Sequence, residues 1–211
     1  MKVNPAFWLI GIFIISLAPN LVQGEALWWE AANAFGFVGF AGLLILLANG
    51  YSKSGHSHFH RWFGITVLVA MLVHSLWFLI ADAAVLEYLL PGAPVYMVLG
   101  ISALLFCILL TVSSFRKLRR VAYVSTRSFR FWHNWQSIVI VILSSIHIAS
   151  SGFYFVSTWQ WLALGTLSAL SFLLPAKPTT ARKGEQRQSL GETSLLLIIC
   201  TLFIGLFIFL R

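Results

Sequence analysis

Residues 60–74, HRWFGITVLVAMLVH, and residues 133–147, HNWQSIVIVILSSIH, are two apolar stretches that each begin and end with histidine. The interval from His60 to His74 is fourteen residues, and so is the interval from His133 to His147. On an α-helix, fourteen residues return to within about 40° of the starting direction and rise about 21 Å. Each stretch is therefore predicted to be a helix that presents two imidazoles on roughly one face, at two levels.

Imidazole is a common axial ligand of heme iron, and a bis-histidine heme takes one ligand from each side of the macrocycle. Two such helices facing each other would hold two hemes, one above the other. A lone histidine in an apolar helix is more often a helix-contact residue. Ionisable groups in a bilayer are costly and tend to mark function, so four histidines at one repeated interval favour the diheme interpretation.

Composition indicates a membrane protein. Of the 211 residues, 59% are hydrophobic and 9% are charged, whereas a soluble domain carries about 25% charge. The net charge of +8 is gathered in a few loops, which indicates membrane orientation, with lipid rather than nucleic acid as the partner. Cys107 and Cys200 lie in apolar runs without a CxxC pair, so we predict no disulfide and no redox role for them.

Seven apolar segments each approach the length that crosses a hydrocarbon core of about 30 Å. We predict an all-α, polytopic membrane helix bundle with spans at 6–22, 31–49, 60–81, 94–115, 132–156, 159–175 and 194–210. The first segment also resembles a secretory signal peptide, but we interpret it as a retained span, short or kinked near Pro19. The chain then divides into an N-terminal span and outer loop (1–29), a heme-binding core (30–175), a basic cytoplasmic loop (176–193) and a C-terminal span (194–211).

Charges in the predicted loops alternate in sign along the chain. Loops two, four and six are basic, and residues 116–130 of the fourth loop carry six Lys and Arg residues and no acidic residue. The positive-inside rule then puts these loops and the N-terminus in the cytoplasm and the C-terminus outside. We expect the membrane to be a bacterial inner (plasma) membrane. Both histidine helices run outward in this topology, which pairs His60 with His133 at the inner level and His74 with His147 at the outer level.

Other charged and titratable residues lie next to these histidines. Arg61, Arg127 and Arg130 lie at the inner ends of the two helices, where heme propionates need cationic partners, although positive-inside charge alone also explains them. In GHSHFH, His56 and His58 together with His60 are an alternative surface metal site, but no fourth ligand follows nearby, and we interpret His56 and His58 as solvated loop residues. Trp62, Trp132 and Trp135 are typical of membrane interfaces.

The two histidine stretches resemble the ferric reductase-like transmembrane domain, the heme-bearing core of ferric reductases and NADPH oxidases. Its His-Arg/Lys-x-x-Gly motif is matched by His60, Arg61 and Gly64, and the resemblance covers about residues 30–175. It implies a six-span core with two b-type hemes, an inner one on His60 and His133 and an outer one on His74 and His147. The seventh span is additional.

The chain departs from the larger members of that family, because it has no recognisable flavin or nicotinamide domain. The resemblance therefore implies a diheme b-type electron-transfer protein that takes electrons from a separate cytoplasmic flavin reductase and passes them to a periplasmic or extracellular acceptor. One alternative is a heme-binding membrane subunit of a periplasmic reductase system, such as that of the periplasmic methionine sulfoxide reductase, although this chain keeps His60 where that subunit's pattern differs. A heme-free transporter or assembly factor is a further alternative, although the histidine helices lack the Gly and Pro interruptions typical of transporters.

The loop charges lead to a test of topology. A reporter fused after Arg120 is expected to be active only as a cytoplasmic reporter, and one fused after Arg211 only as an exported reporter. Paired fusions assayed in intact cells measure this directly. Activity of both fusions on one side of the membrane would show that a span, most simply the sixth, has been miscounted.

Overall fold

The computed structural model describes Ile14 and residues 27–49, 57–81, 83–153 and 158–173, and these residues are all-helical apart from short turns. The predicted spans at 6–22 and 194–210 and the basic loop at 176–193 lie outside these residues, Ile14 excepted. The described helices are α1 (Leu27–Asn49), α2 (Ser57–Ala81), a 3-10 helix (Ala83–Leu89), α3 (Val95–Ser114), α4 (Arg116–Ala122), α5 (Thr126–Ser150) and α6 (Thr158–Leu173). The all-α prediction is confirmed for this part of the chain.

Three described helices are long and apolar enough to cross a membrane, namely the segments Leu27–Leu47, His60–Ala81 and Val95–Ser114. They coincide with the second, third and fourth predicted spans. Helix α5 has sufficient length at 25 residues, but polar side chains occupy its first turns, and α6 has only 16 residues. A membrane helix bundle is therefore supported, and the count of seven spans stays a prediction.

Helix α5 begins and ends earlier than the predicted segment 132–156. The Ser125 hydroxyl caps its start by accepting a hydrogen bond from the Ser128 backbone nitrogen at 3.1 Å, and the helix ends just before Gly152, whose φ is 71°. The apolar pattern missed this start because the first turns are basic rather than apolar. As a consequence, His133 lies about two turns inside the helix instead of next to its first residue.

Helix α1 is the centre of the bundle. In an apolar 18-residue window of each helix, 67% of the residues are buried in α1, compared with 17% in α2 and 11% in α3. The most extensive helix contacts join α1 to α2 and α3 to α5, and α1 also touches α5 and α6. Buried side chains of α1 form the largest share of the apolar core: Phe37, Val38, Phe40, Ala41, Leu43, Leu44 and Ile45.

Two glycines allow α1 and α2 to approach closely. A methyl group added to Gly39 would lie 2.8 Å from Met71 Cγ, and one added to Gly42 would overlap Val67. Small residues at helix interfaces are a common device in membranes, where close backbone approach increases van der Waals contact. These glycines therefore fix the distance between α1 and the first histidine helix.

Substitution of Gly42 tests this packing. Gly42→Ala is expected to lower stability by about 1–3 kcal/mol because the new methyl group overpacks against the branched Val67 side chain. The Gly42→Ala/Val67→Ala double variant should lose less than the sum of the two single changes. Unfolding titrations in mixed micelles measure both. Gly165→Ala, at a position with nothing within 4 Å, is the control, and additive losses would contradict the proposed contact.

Candidate functional site at the paired histidines

The histidines of α2 and α5 lie side by side in two pairs. The ring centroids of His60 and His133 are 6.1 Å apart, with the ring planes inclined at 53°. The ring centroids of His74 and His147 are 6.5 Å apart and inclined at 73°. The two helices therefore run in the same direction with matched levels, and the four histidines form an inner pair (His60 and His133) and an outer pair (His74 and His147).

The distance between the ring centroids limits what each pair of histidines can hold. Metal–imidazole bonds are about 2 Å long and a ring nitrogen lies about 1.1 Å from its ring centre, so imidazoles on opposite sides of one metal have centroids about 6.2 Å apart. A direct hydrogen bond between the rings would bring the centroids to about 5 Å. The observed 6.1 and 6.5 Å are close to the first value and exceed the second, and they also lie within the range of about 4.5–7 Å for ordinary ring contacts.

Both outer histidines are anchored to the backbone of a neighbouring helix. Nδ1 of His74 lies 2.8 Å from the carbonyl oxygen of Ala32 in α1, and Nδ1 of His147 lies 2.7 Å from that of Tyr96 in α3. A carbonyl oxygen only accepts, so each ring donates its proton from Nδ1. The lone pair then resides on Nε2, which is the form in which a neutral histidine binds a metal.

The inner pair has a weaker anchor. Nδ1 of His133 lies 3.3 Å from the Ser114 hydroxyl, and this hydroxyl donates its own proton to the Leu110 carbonyl at 2.6 Å. Ser114 therefore accepts from His133, which selects the same tautomer as in the outer pair. On its other side His133 packs against Phe129 at 5.1 Å, and the guanidinium of Arg119 lies 5.1 Å above that ring.

Each pair opens into an apolar cleft. The outer cleft has a cavity of about 210 Å³, and its polar lining includes Asn33, Tyr88 and Tyr96. The inner cleft is smaller, at about 80 Å³, and its lining includes Arg61 and Asn134. The outer site is therefore the roomier and the more firmly pre-organised of the two.

This donor set suits heme better than a free metal ion. Each cleft offers two neutral imidazoles and few other ligands, and heme iron needs no more from the protein because the porphyrin supplies the remaining nitrogens. The described residues contain no group of three or more His, Cys, Asp or Glu side chains that could hold a metal ion. The chemistry of the donor set at each level therefore suits a bis-histidine heme.

The predicted propionate partners are placed differently from one another. Arg61 lines the inner cleft, with its guanidinium 5.5 Å above the ring of Trp62. Arg127 and Arg130 are exposed on the first turns of α5 and do not line that cleft. The propionate role of all three stays a prediction, and the position of Arg61 favours it.

The remaining predicted site residues are placed as follows. Trp62, Trp132 and Trp135 are about half exposed, as side chains at a membrane interface would be. His56 and the side chain of His58 lie outside the described residues, so the alternative metal site there stays untested.

Three groups that orient the histidines were not predicted from the sequence: the Ala32 and Tyr96 carbonyls and the Ser114 hydroxyl. A main-chain carbonyl has no residue-specific signature, so only the fold reveals which one faces a histidine. Ser114 did have a signal, because it is a polar residue at the inner end of an apolar helix, but it was counted as part of the span.

Comparison with known proteins supports a family for this chain. Residues 35–125 match the family described as ferric reductase like transmembrane component. The matched region runs from α1 through α4, which is less than half of the chain, and includes His60 and His74 but not His133 or His147. The match confirms the predicted resemblance to a ferric reductase-like transmembrane domain over these residues. No curated protein and no solved structure matches the chain. The family supports a role in membrane electron transfer, and its members generally bind heme.

Proposed function

We propose that this ferric reductase-like chain is a diheme b-type protein that carries electrons across the membrane. His60 and His133 would bind the inner heme, and His74 and His147 the outer heme. The observation that carries the proposal is the separation of the rings, 6.1 and 6.5 Å, which leaves room for one metal between each pair. Two pairs on two parallel helices give two such sites at different levels.

In this proposal, the residues of the chain hold each heme in position, shield it from water and tune its redox properties. Bound heme supplies one-electron redox chemistry. The Ala32, Tyr96 and Ser114 oxygens orient the imidazoles, and the apolar cleft walls exclude water.

The two clefts come close to each other along the helices. On α2 the inner cleft reaches Val67 and the outer cleft reaches Met71, and on α5 the corresponding residues are Ile140 and Ser144. Four residues correspond to about 6 Å of helix rise. The partition between the clefts is thus about one helical turn, which supports direct electron transfer from one site to the other.

A second candidate is the heme-binding membrane subunit of a periplasmic reductase system, with heme at the outer pair alone. It is favoured by the difference between the clefts, since the outer cavity is larger and both of its histidines are held by carbonyls. The heme-to-protein ratio of the purified chain separates the candidates: about two supports the diheme protein and about one supports this alternative. A colourless protein would instead favour the third alternative, a heme-free transporter or assembly factor.

Histidine substitutions test the pairing. His74→Ala and His147→Ala are each expected to remove the same spectral component, because a single imidazole holds a bis-ligated heme too weakly. His60→Ala serves as the control and should leave that component in place. Reduced-minus-oxidised absorption spectra report all three variants, and the loss of different components from His74→Ala and His147→Ala would refute the pairing.

The proposed electron donor is a separate cytoplasmic flavin reductase that docks on the basic segment at residues 116–130. Arg116, Lys117 and Arg120 of α4 are exposed, and Arg119 of the same helix covers Phe129, which in turn touches His133. A donor on α4 would therefore sit beside the inner pair. The acceptor would lie on the opposite, outer face, as the positive-inside orientation requires.

The donor requirement can be tested by reconstitution. The heme-loaded chain should not be reduced by NADPH alone, and a flavin reductase should reduce it about tenfold faster at low than at high ionic strength because salt screens the basic surface. Stopped-flow absorbance measures the rate. The triple variant Arg116→Gln/Lys117→Gln/Arg120→Gln should weaken this salt dependence, because it removes three of the six cations, and Arg211→Gln should leave it unchanged. Reduction by NADPH alone would rule out the partner requirement.

A further inference from the structure

Two glycines lie directly against the outer histidines, on the two helices that supply the backbone acceptors. Gly36 is four residues after Ala32 in α1, and Gly100 is four residues after Tyr96 in α3. We propose that Gly36 and Gly100 are positioning residues that set the orientation and tautomer of His74 and His147. This inference deepens the proposed function and rests on it for the identity of the bound group.

At the first position the space of a side chain is filled by the histidine ring. A methyl group on Gly36 would lie 2.9 Å from Nδ1 of His74 and 3.0 Å from its Cε1. Contacts under or near 3.0 Å force a shift, and the obstacle here is a rigid ring. Ring and methyl group therefore cannot share the position.

The second position repeats the arrangement on a different helix pair. A methyl group on Gly100 would lie 2.7 Å from Nδ1 of His147 and 2.8 Å from its Cε1. The ring again donates to the carbonyl four residues earlier, that of Tyr96, at 2.7 Å. The same spacing, contact atoms and hydrogen bond recur on helices that are unrelated in sequence, which argues against an accident of packing.

Helix geometry explains the four-residue spacing. The Cα–Cβ bond leans towards the helix N-terminus, so the side chain of one residue covers the carbonyl of the residue four positions earlier. That carbonyl already accepts the backbone N–H of the same residue. Glycine leaves its second lone pair open to a group from another helix. Together, the glycine and the carbonyl before it form a socket for an imidazole.

In the part of the chain that the structure describes, no glycine has an inner histidine among its nearest neighbours. Gly64, the glycine of the family motif, has its nearest neighbour, Leu46 Cδ1, at 4.0 Å, and the His133 acceptor is the side chain of Ser114. Gly165→Ala is the control, because it adds the same atom at a position with nothing within 4 Å and away from either histidine.

The first experiment uses the heme-loaded full chain. Gly36→Ala and Gly100→Ala should each displace one outer ligand, so that the reduced protein binds carbon monoxide at the outer site and loses outer heme about 10–100-fold more readily. Gly165→Ala should do neither. Retention of the inner heme spectrum reports that each variant is folded. Carbon monoxide binding that is equal in all three variants, or absent from all of them, would overturn the proposal.

A second experiment needs no heme. Nitrogen NMR of the heme-free chain labelled at histidine should show the His74 and His147 rings protonated at Nδ1, with His74 alone losing this state in Gly36→Ala and His147 alone in Gly100→Ala. Rings protonated at Nε2 in the unsubstituted chain would contradict the proposal that the sockets set the tautomer. If the tautomers are as expected but the protein binds no heme, the sockets stand and the proposed function fails.

Discussion

The hydrogen bond from an imidazole to a main-chain carbonyl of the next helix is the constraint on which the outer site depends. In an apolar interior a ring N–H without a partner is costly, and donation to a carbonyl removes that cost. It also leaves the lone pair on Nε2, the nitrogen available to a group bound in the cleft. Because the acceptors belong to α1 and α3, the bonds tie each histidine helix to the neighbour with which it makes its most extensive contact. The same two hydrogen bonds therefore join neighbouring helices and orient the imidazoles.

Much of this arrangement follows from the sequence, and the exceptions have physical reasons. Equal intervals from His60 to His74 and from His133 to His147 predict two levels, and the fold places these residues side by side because helical periodicity is insensitive to context. The start of α5 was missed because a helix can extend past the apolar segment with basic turns. The carbonyl acceptors were missed because every residue has one, so their role depends on which helices pack together.

The two ends of the bundle differ in their electrostatics. The inner cleft is bordered by Arg61, and the neighbouring α4 presents several exposed cations. In the described residues, by contrast, the outer cleft has no lysine or arginine in its lining and offers tyrosine hydroxyls and an asparagine. Among the described residues, the inner cleft therefore has a cationic border, whereas the outer cleft has a polar but uncharged, aromatic lining.

The vertical offset of the two histidine pairs has an energetic consequence. Fourteen residues correspond to about 21 Å of a hydrocarbon core about 30 Å thick, so an electron passing between the levels crosses about two thirds of the membrane field. A full crossing is worth about 2.3 kcal/mol per 100 mV. Under the proposed function, outward transfer moves negative charge away from a negative interior, so the membrane potential assists it. Every turnover would then be electrogenic, and respiration elsewhere in the same membrane would help drive this protein without touching it.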